Sequence, residues 1–293
     1  MTSSRQSDTP FFFVGQDTHI GYDRLVNEDA FGWVNTANGE IFIVADGLGG
    51  QAGGGVASRL AVSAFHEYIS SRAGEPDDLL RGGVLAADAA VAKATLDYPE
   101  LTGLGSTLVA VLLQKTEAWY IHVGDSRLYL LSAEGLQLLT RDHTRAQELI
   151  DAGHLTPEQA AAHPDRHTLT RYLGGVVKAD TLYVGRRSYR ADDTFLLCTD
   201  GLSTLVTETR IREILSLPLS PQDRARKLIE AALEENGGAD NITVEVVAFK
   251  PGQDDDPLPP VPIYGRRARA RAFIGGLALG LLLGGFLTWL WLG

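Results

Sequence analysis

The alternation of apolar and polar positions divides the chain into a mixed set of elements. Residues 41–45 (IFIVA) form an unbroken apolar run that stops at Asp46-Gly47, as expected of a buried strand emptying into a loop. Val56, Leu60, Ala61, Ala64, Phe65 and Tyr68 recur at helical spacing, and a second helical pattern covers 79–96 and ends before Pro99. Strand-like runs follow at 107–113, 118–123, 127–131 and 136–139, with Glu134-Gly135 as the hairpin turn between the last two. Further strands are predicted at 181–188, 194–199 and 241–249, and helices at 208–215 and 221–233. Strands outnumber helices and hairpins dominate, which favours antiparallel sheets with helices packed outside over a parallel nucleotide-binding sheet.

Composition narrows the picture. In 293 residues, 44% hydrophobic and 22% charged positions describe an ordinary globular protein. The net charge of −11 argues against a broad nucleic-acid grip. The one cysteine, Cys198, lies in the apolar run FLLC and is expected in the core, and it excludes a disulfide framework or a multi-cysteine zinc site. The start MTSSRQSDTP is polar, and the apolar run at 11–14 is too short for a signal core.

The other end is apolar. Residues 272–292 (AFIGGLALGLLLGGFLTWLWL) carry no charge and match the ~20 residues a helix needs to cross a bilayer. Arg266, Arg267, Arg269 and Arg271 precede this span, predicting a tail anchor with everything N-terminal to it in the cytoplasm, at the inner membrane. Trp289 and Trp291 suit the far interface, and Gly276, Gly280 and Gly284 form a small-residue stripe through which two such helices could pair. Residues 250–271, rich in proline and acids before the arginines, read as a linker. Residues 1–10 are expected to be disordered and 11–249 to form one domain.

Candidate chemistry sits where strands end. Asp46 and Asp200 follow apolar runs and are each followed by glycine, Asp240 immediately precedes one, and Asp125 occupies the Gly124-Asp125-Ser126-Arg127 turn. Taken singly, Asp-Gly is equally a turn dipeptide. Gathered at one sheet rim, the carboxylates would repel unless divalent cations neutralised them, and oxygen donors without paired His or Cys favour Mg²⁺ or Mn²⁺ over zinc.

The ordered set of motifs is more specific. Arg24-Leu-Val-Asn27-Glu28-Asp29, Asp46-Gly-Leu-Gly-Gly50, Gly105-Ser-Thr-Leu108, Gly124-Asp-Ser-Arg127, Leu139-Thr-Arg-Asp-His143, Asp200-Gly-Leu202 and Asp240-Asn-Ile-Thr243 occur in sequence. In this the chain resembles the metal-dependent protein phosphatases of type 2C in their compact bacterial form, over 13–247. The resemblance implies an α+β fold of two packed antiparallel sheets flanked by helices, in four α-β-β-α layers. It also implies hydrolysis of phosphoserine and phosphothreonine on proteins, opposing a Ser/Thr protein kinase, with two Mn²⁺ or Mg²⁺ ions and a weaker third.

By the same resemblance, Asp46 bridges two metals and the Gly47 carbonyl completes the shell of the second. Asp200 and Asp240 hold the first, Glu28 and Asp29 support the second, Asp125 with Asp200 takes the third, and Arg24 clamps the phosphate. Eukaryotic relatives carry a candidate general acid, a histidine, two residues after the bridging Asp. Here that position is Leu48. Residues 144–175 resemble the mobile flap of the bacterial branch and read locally as two short helices, the second begun by Thr156-Pro157-Glu158. Within it His163, Arg166 and His167 face either phosphopeptide or solvent, and His143 is read as structural. The competing readings are a catalytically silent domain of the same fold, acting as sensor or scaffold, and a small-molecule phosphohydrolase.

Overall fold

The computed structural model describes residues 11–49, 53–97, 103–175, 177–235 and 238–250. The N-terminal ten residues, the linker beyond Lys250 and the apolar span 272–292 lie outside the described residues. Among the described residues no helix is long and apolar enough to cross a membrane.

Two five-stranded antiparallel sheets pack face to face. One has the order β1 (Phe11–His19), β12 (Ile242–Lys250), β11 (Thr194–Cys198), β8 (Arg127–Ser132), β9 (Gly135–Leu138). The other runs β10 (Val184–Ser188), β7 (Glu117–Val123), β6 (Leu108–Gln114), β3 (Gly39–Ala45), β2 (Ala30–Thr36). A two-residue pair, β4 (Gly47–Leu48) with β5 (Gly105–Ser106), extends the second sheet's rim.

The apolar runs are unbroken because central strands are covered on both faces. Phe42 and Val44 of β3 point between the sheets, against Leu128, Phe195 and Val247. Ile41, Ile43 and Ala45 point the other way, into the hairpin of α1 (Gly53–Ser70) and α2 (Pro76–Asp97). On the far side Ile242, Val244 and Val246 meet the helices α5 (Asp200–Ser203), α6 (Glu208–Leu215) and α7 (Pro221–Glu234). The result is the four-layer α-β-β-α sandwich, with Cys198 in the core. Each fully buried Leu, Ile, Val or Phe contributes about 1.5–3 kcal/mol, so these three layers of side chains hold the rim below in place.

Local chemistry sets the helix ends. Thr207 and Ser220 cap α6 and α7 by accepting the Arg210 and Asp223 N–H groups, and Pro221 fits the first turn, where no N–H donor is needed. Two short helices lie in the region 144–175, α3 (Arg145–Asp151) and α4 (Pro157–Ala161), the second closed by a Thr156/Gln159 capping box. The predicted strand at 181–188 begins only at Val184, because residues 179–181 make a 3-10 turn held by Thr181 Oγ1 donating to the Lys178 carbonyl. Strands β1 and β2 complete the two sheet edges and were not evident in the hydropathy pattern.

Candidate active site

All four candidate aspartates meet at one rim of the sandwich, in a cleft of about 530 Å³ that is also lined by Arg24, Glu28, Gly47 and Leu48. Asp46 follows β3, and its backbone is pinned from three directions. Its N–H donates to Thr107 Oγ1 at 2.8 Å, and its carbonyl accepts from the Thr107 N–H at 2.8 Å and Ser106 Oγ at 3.0 Å. Asp125 sits in the tight turn from β7 to β8. There Gly124 adopts φ +97°, and a Cβ would come within 2.6 Å of Thr107 Cγ2. Arg127 behind it forks onto Asp142 at 2.7–3.2 Å and donates to Tyr129 Oη at 3.0 Å.

Asp200 opens α5, directly after β11, and the Thr199 that precedes it exchanges hydrogen bonds with Thr243. Asp240 leads into β12. Its Oδ1 accepts the Asn241 N–H at 2.8 Å and its Oδ2 accepts from Arg24 Nη2 at 2.9 Å. Asn241 joins the two halves of the site. Its Oδ1 accepts the Glu28 N–H at 2.8 Å, while Nδ2 donates to the carbonyls of Ile20 and Val26. The loop bearing Arg24 is thereby stapled to the strand bearing Asp240. Nothing in the spacing marked Asn241 for this role beyond its place in the Asp240-Asn241 pair.

Glu28 and Asp29 have different surroundings. Glu28 lines the cleft, with Oε1 accepting the Gly54 N–H at 3.0 Å at the start of α1. Asp29 lies beneath, where Oδ2 accepts from Thr199 Oγ1 at 2.9 Å and the buried Oδ1 has no hydrogen-bond partner. Asp200 Oδ1 is likewise buried and unpartnered.

Electrostatics tie these groups together. Burial, then repulsion from Asp29, Asp200 and Asp125, raises Asp46 well above the usual carboxylate range. Burial and Asp200 lift Asp125 to about 8, and burial lifts Asp29 to about 7 despite its threonine hydrogen bonds. Asp240 is raised by burial and Asp200, with Arg24 opposing.

Unpartnered buried carboxylate oxygens in a ring of like charge, all hard oxygen donors, fit divalent cations of the Mg²⁺ or Mn²⁺ type. Among the described residues, no three Asp, Glu, His or Cys side chains already close around one point. Asp240 is engaged by Arg24 and Glu28 by the Gly54 N–H, so completing a shell requires carboxylates to turn from protein donors to an ion.

The segment 144–175 returns over the cleft. Arg166, His167 and Leu169 line it, with His167 Nδ1 at 3.6 Å from Asp200 Oδ2. Arg166 and His167 thus line the cleft while remaining exposed to solvent. His163 is not among the cleft residues, and its Nδ1 accepts the Asp165 N–H instead. His143 is structural, as read from the sequence. Its Nδ1 accepts the Gly124 N–H at 3.1 Å and its ring stacks on His122 at 4.5 Å. Leu48 lines the cleft and offers no proton.

A carboxylate-rimmed cleft that also carries the guanidiniums of Arg24 and Arg166, on a four-layer sandwich, suits divalent cations and an anionic substrate. The chain belongs to the protein phosphatase 2C family, whose profile matches residues 16–235. It is 39% identical over 239 residues to the serine/threonine protein phosphatase PstP of Mycobacterium tuberculosis, covering 80% of this chain and 45% of that protein. It is 37% identical over 238 residues to the serine/threonine phosphatase stp of Listeria monocytogenes, covering 78% of this chain and 93% of that protein. The matched region therefore spans about half of the mycobacterial relative. Among solved structures, the M. tuberculosis PstP/Ppp phosphatase superposes with a TM-score of 0.74 at 36% identity, covering 82% of this chain and 99% of that one. The catalytic domain of PstP in complex with two manganese ions superposes with a TM-score of 0.72 at 35% identity, again over 82% and 99%.

Proposed function

We propose that the chain hydrolyses phosphoserine and phosphothreonine on proteins, using two Mn²⁺ or Mg²⁺ ions held by Asp46, the Gly47 carbonyl, Asp200 and Asp240, with Glu28 and Asp29 in support and Asp125 at a weaker third position. The observation that carries this reading is the convergence of Asp46, Asp125, Asp200 and Asp240 with Arg24 in one cleft. Similarity to named serine/threonine phosphatases, one solved with manganese, supports it. Bound there, such ions would lower the pKa of the attacking water and neutralise phosphoryl charge.

The chain's own residues supply the rest. Arg24 presents a guanidinium fork that exchanges Asp240 for two phosphoryl oxygens and stabilises their charge in the transition state. Thr107 and Ser106 hold the Asp46 backbone and the Asn241 N–H holds the Asp240 carboxylate, so the carboxylates meet the substrate in a fixed geometry. The cleft's high carboxylate density excludes a phosphate monoester until the cations balance it. Arg166 offers further positive charge from above, and His167 sits beside Asp200. The retained carboxylates and Arg24 weigh against a silent scaffold.

The apolar span 272–292 supports a second element of this reading. It tethers the domain to the inner membrane, facing the cytoplasm, where the opposing Ser/Thr kinase acts, and the glycine stripe pairs two anchors. Carbonate-resistant sedimentation of the full chain, lost on removal of 272–293, tests the tether.

Purified protein assayed on phosphothreonine peptides tests the activity. Phosphate release that requires Mn²⁺ or Mg²⁺ and collapses in Asp200→Asn is the expected result. Release without metal, or undiminished in that variant, overturns it.

A further inference from the structure

A second cavity, of about 330 Å³, lies at the foot of the segment that covers the cleft. This is the size class of small-ligand sites. Arg171, Lys178, His143, Thr170 and Thr181 line it, and no carboxylate does. That is unusual in a chain of net charge −11. Neither Arg171 nor Lys178 makes an ion pair among the described residues, although Asp180 is close in sequence. Two other acids nearby are committed elsewhere. Asp142 is held by Arg127, and Asp88 Oδ1 accepts the Gly174 N–H at 2.8 Å.

The cavity's shape is fixed from outside. Arg81 on α2 donates to the Ala179 and Leu182 carbonyls, and Arg171 Nη1 donates to the Thr181 carbonyl at 3.3 Å, leaving the rest of its fork free. His143 is neutral, pushed to about 3 by burial, His122 and Arg171. With Nδ1 accepting from Gly124, its proton sits on Nε2, which makes the ring a neutral donor.

We propose that this cavity binds a phosphate-class oxyanion through the Arg171 guanidinium and the Lys178 ammonium. Two cations at one cavity with no carboxylate lining it, Arg171 anchored to the Thr181 carbonyl and Lys178 on an exposed, adaptable stem, suit a compact dianion. The site is separate from the cleft but shares walls with it. Leu169 lines the cleft, whereas Thr170 and Arg171 line the cavity. Thr170 donates to the His143 carbonyl at 2.8 Å, and His143 in turn grips Gly124, next to Asp125. Leu173 pairs with Ser106, whose Oγ holds the Asp46 carbonyl. An occupied cavity would therefore stiffen the covering segment and the turn beneath it. Free inorganic phosphate and a second phosphate on a multiply phosphorylated substrate present the same chemistry.

The test begins with calorimetric titration of inorganic phosphate into the full chain in EDTA, at constant ionic strength, where the cleft's uncompensated carboxylates repel phosphate. Binding is expected for the native chain and for Arg24→Gln, and at least ~10-fold weaker for the double variant Arg171→Gln/Lys178→Gln, two charge-assisted contacts being lost. Lys178→Arg, which keeps the charge, should bind as the native chain does. No binding by the native chain, or equal binding by the double variant, overturns the site. This measurement needs no turnover, so it stands or falls apart from the phosphatase reading.

The source is then read from turnover, which does rest on that reading. A cavity serving the substrate lowers KM for a doubly over a singly phosphorylated peptide, and the double variant loses that difference. A cavity serving free phosphate makes turnover of the singly phosphorylated peptide respond to added phosphate beyond simple competition, and the double variant loses that response.

Discussion

Arg24 and Asp240 face each other across the mouth of the cleft, with Arg24 Nη2 2.9 Å from both carboxylate oxygens and the two side chains 47% and 35% exposed. An ion pair this open contributes at most about 1 kcal/mol to stability, yet it places the guanidinium where a phosphoryl group must arrive. Arg24→Ala is therefore expected to leave the urea midpoint nearly unchanged and to lower kcat/KM on a phosphothreonine peptide by about 100-fold, the usual cost of removing one transition-state donor. Arg24→Lys should recover little, because a point charge cannot replace the fork. Parallel losses of stability and activity would assign Arg24 to the scaffold instead.

The raised carboxylates predict how the metal-free protein responds to pH. Asp29 and Asp125 hold their protons to about 7 and about 8 in the folded state, against 3.8 for an unfolded Asp, and Asp46 is raised too. Between those limits the folded chain binds more protons than the unfolded one, so stability falls as pH rises from about 4 to about 8. Cations that neutralise the ring remove this penalty and release protons on binding. Thermal melts in EDTA should lose Tm steadily from pH 5 to pH 8. Melts in excess Mn²⁺ should not, so the gap between the two widens with pH. A gap independent of pH would show that these carboxylates do not bind the metal.

Asp200→Asn separates function from stability in the opposite sense. Oδ1 of Asp200 is buried without a partner, and its charge helps to raise Asp46, Asp125 and Asp240. Neutralising it removes a repulsive centre while discarding a ligand. The variant should melt higher than the native chain in EDTA, gain less from Mn²⁺, and lose more than about 100-fold in kcat. A variant that is less stable without metal and fully active with it contradicts both assignments.

The central strands could be read from the sequence because they are covered on both faces. Residues 41–45 and 107–113 are continuous apolar runs for that reason, and their polar ends fall on the rim. Edge strands leave no such mark. In β1, Gly15 presses against the Pro221 carbonyl, where a Cβ would come within 2.1 Å, and Gln16 and Thr18 turn toward Glu245 and Thr243 of β12. The alternation is therefore broken by polar residues that are internally bonded. The aspartates were legible as a set through the ordered motifs that carry the family resemblance, with Asp46, Asp200 and Asp240 close to strand ends and Asp125 in the turn between two strands. The residues that hold them, Thr107, Thr199, Thr243 and Asn241, act through hydrogen bonds across long sequence separations, which no local pattern encodes.

Gly54 and Gly47 meet back to back, and the contact makes the last prediction specific. A Cβ on Gly54 would lie 2.4 Å from the Gly47 carbonyl oxygen and 2.7 Å from Glu28 Oε1, the two groups assigned to the second metal. One of them is backbone, so the strain is relieved only by moving the carbonyl or by shifting the start of α1. Gly54→Ala should cost about 1–3 kcal/mol in stability and raise the Mn²⁺ concentration for half-maximal activity by at least about 10-fold. Gly55→Ala supplies the control. A Cβ there would meet the flexible tip of Arg59 at 3.0 Å, which can swing away, and the Asn27 carbonyl at 3.3 Å, a milder squeeze that leaves the Gly47 carbonyl untouched. Metal titrations of both variants against the native chain decide the matter. If the two alanines shift the Mn²⁺ midpoint equally, the Gly47 carbonyl takes no part in holding the ion. If only Gly54→Ala shifts it, the close approach of α1 to β4 sets the shape of the second metal position.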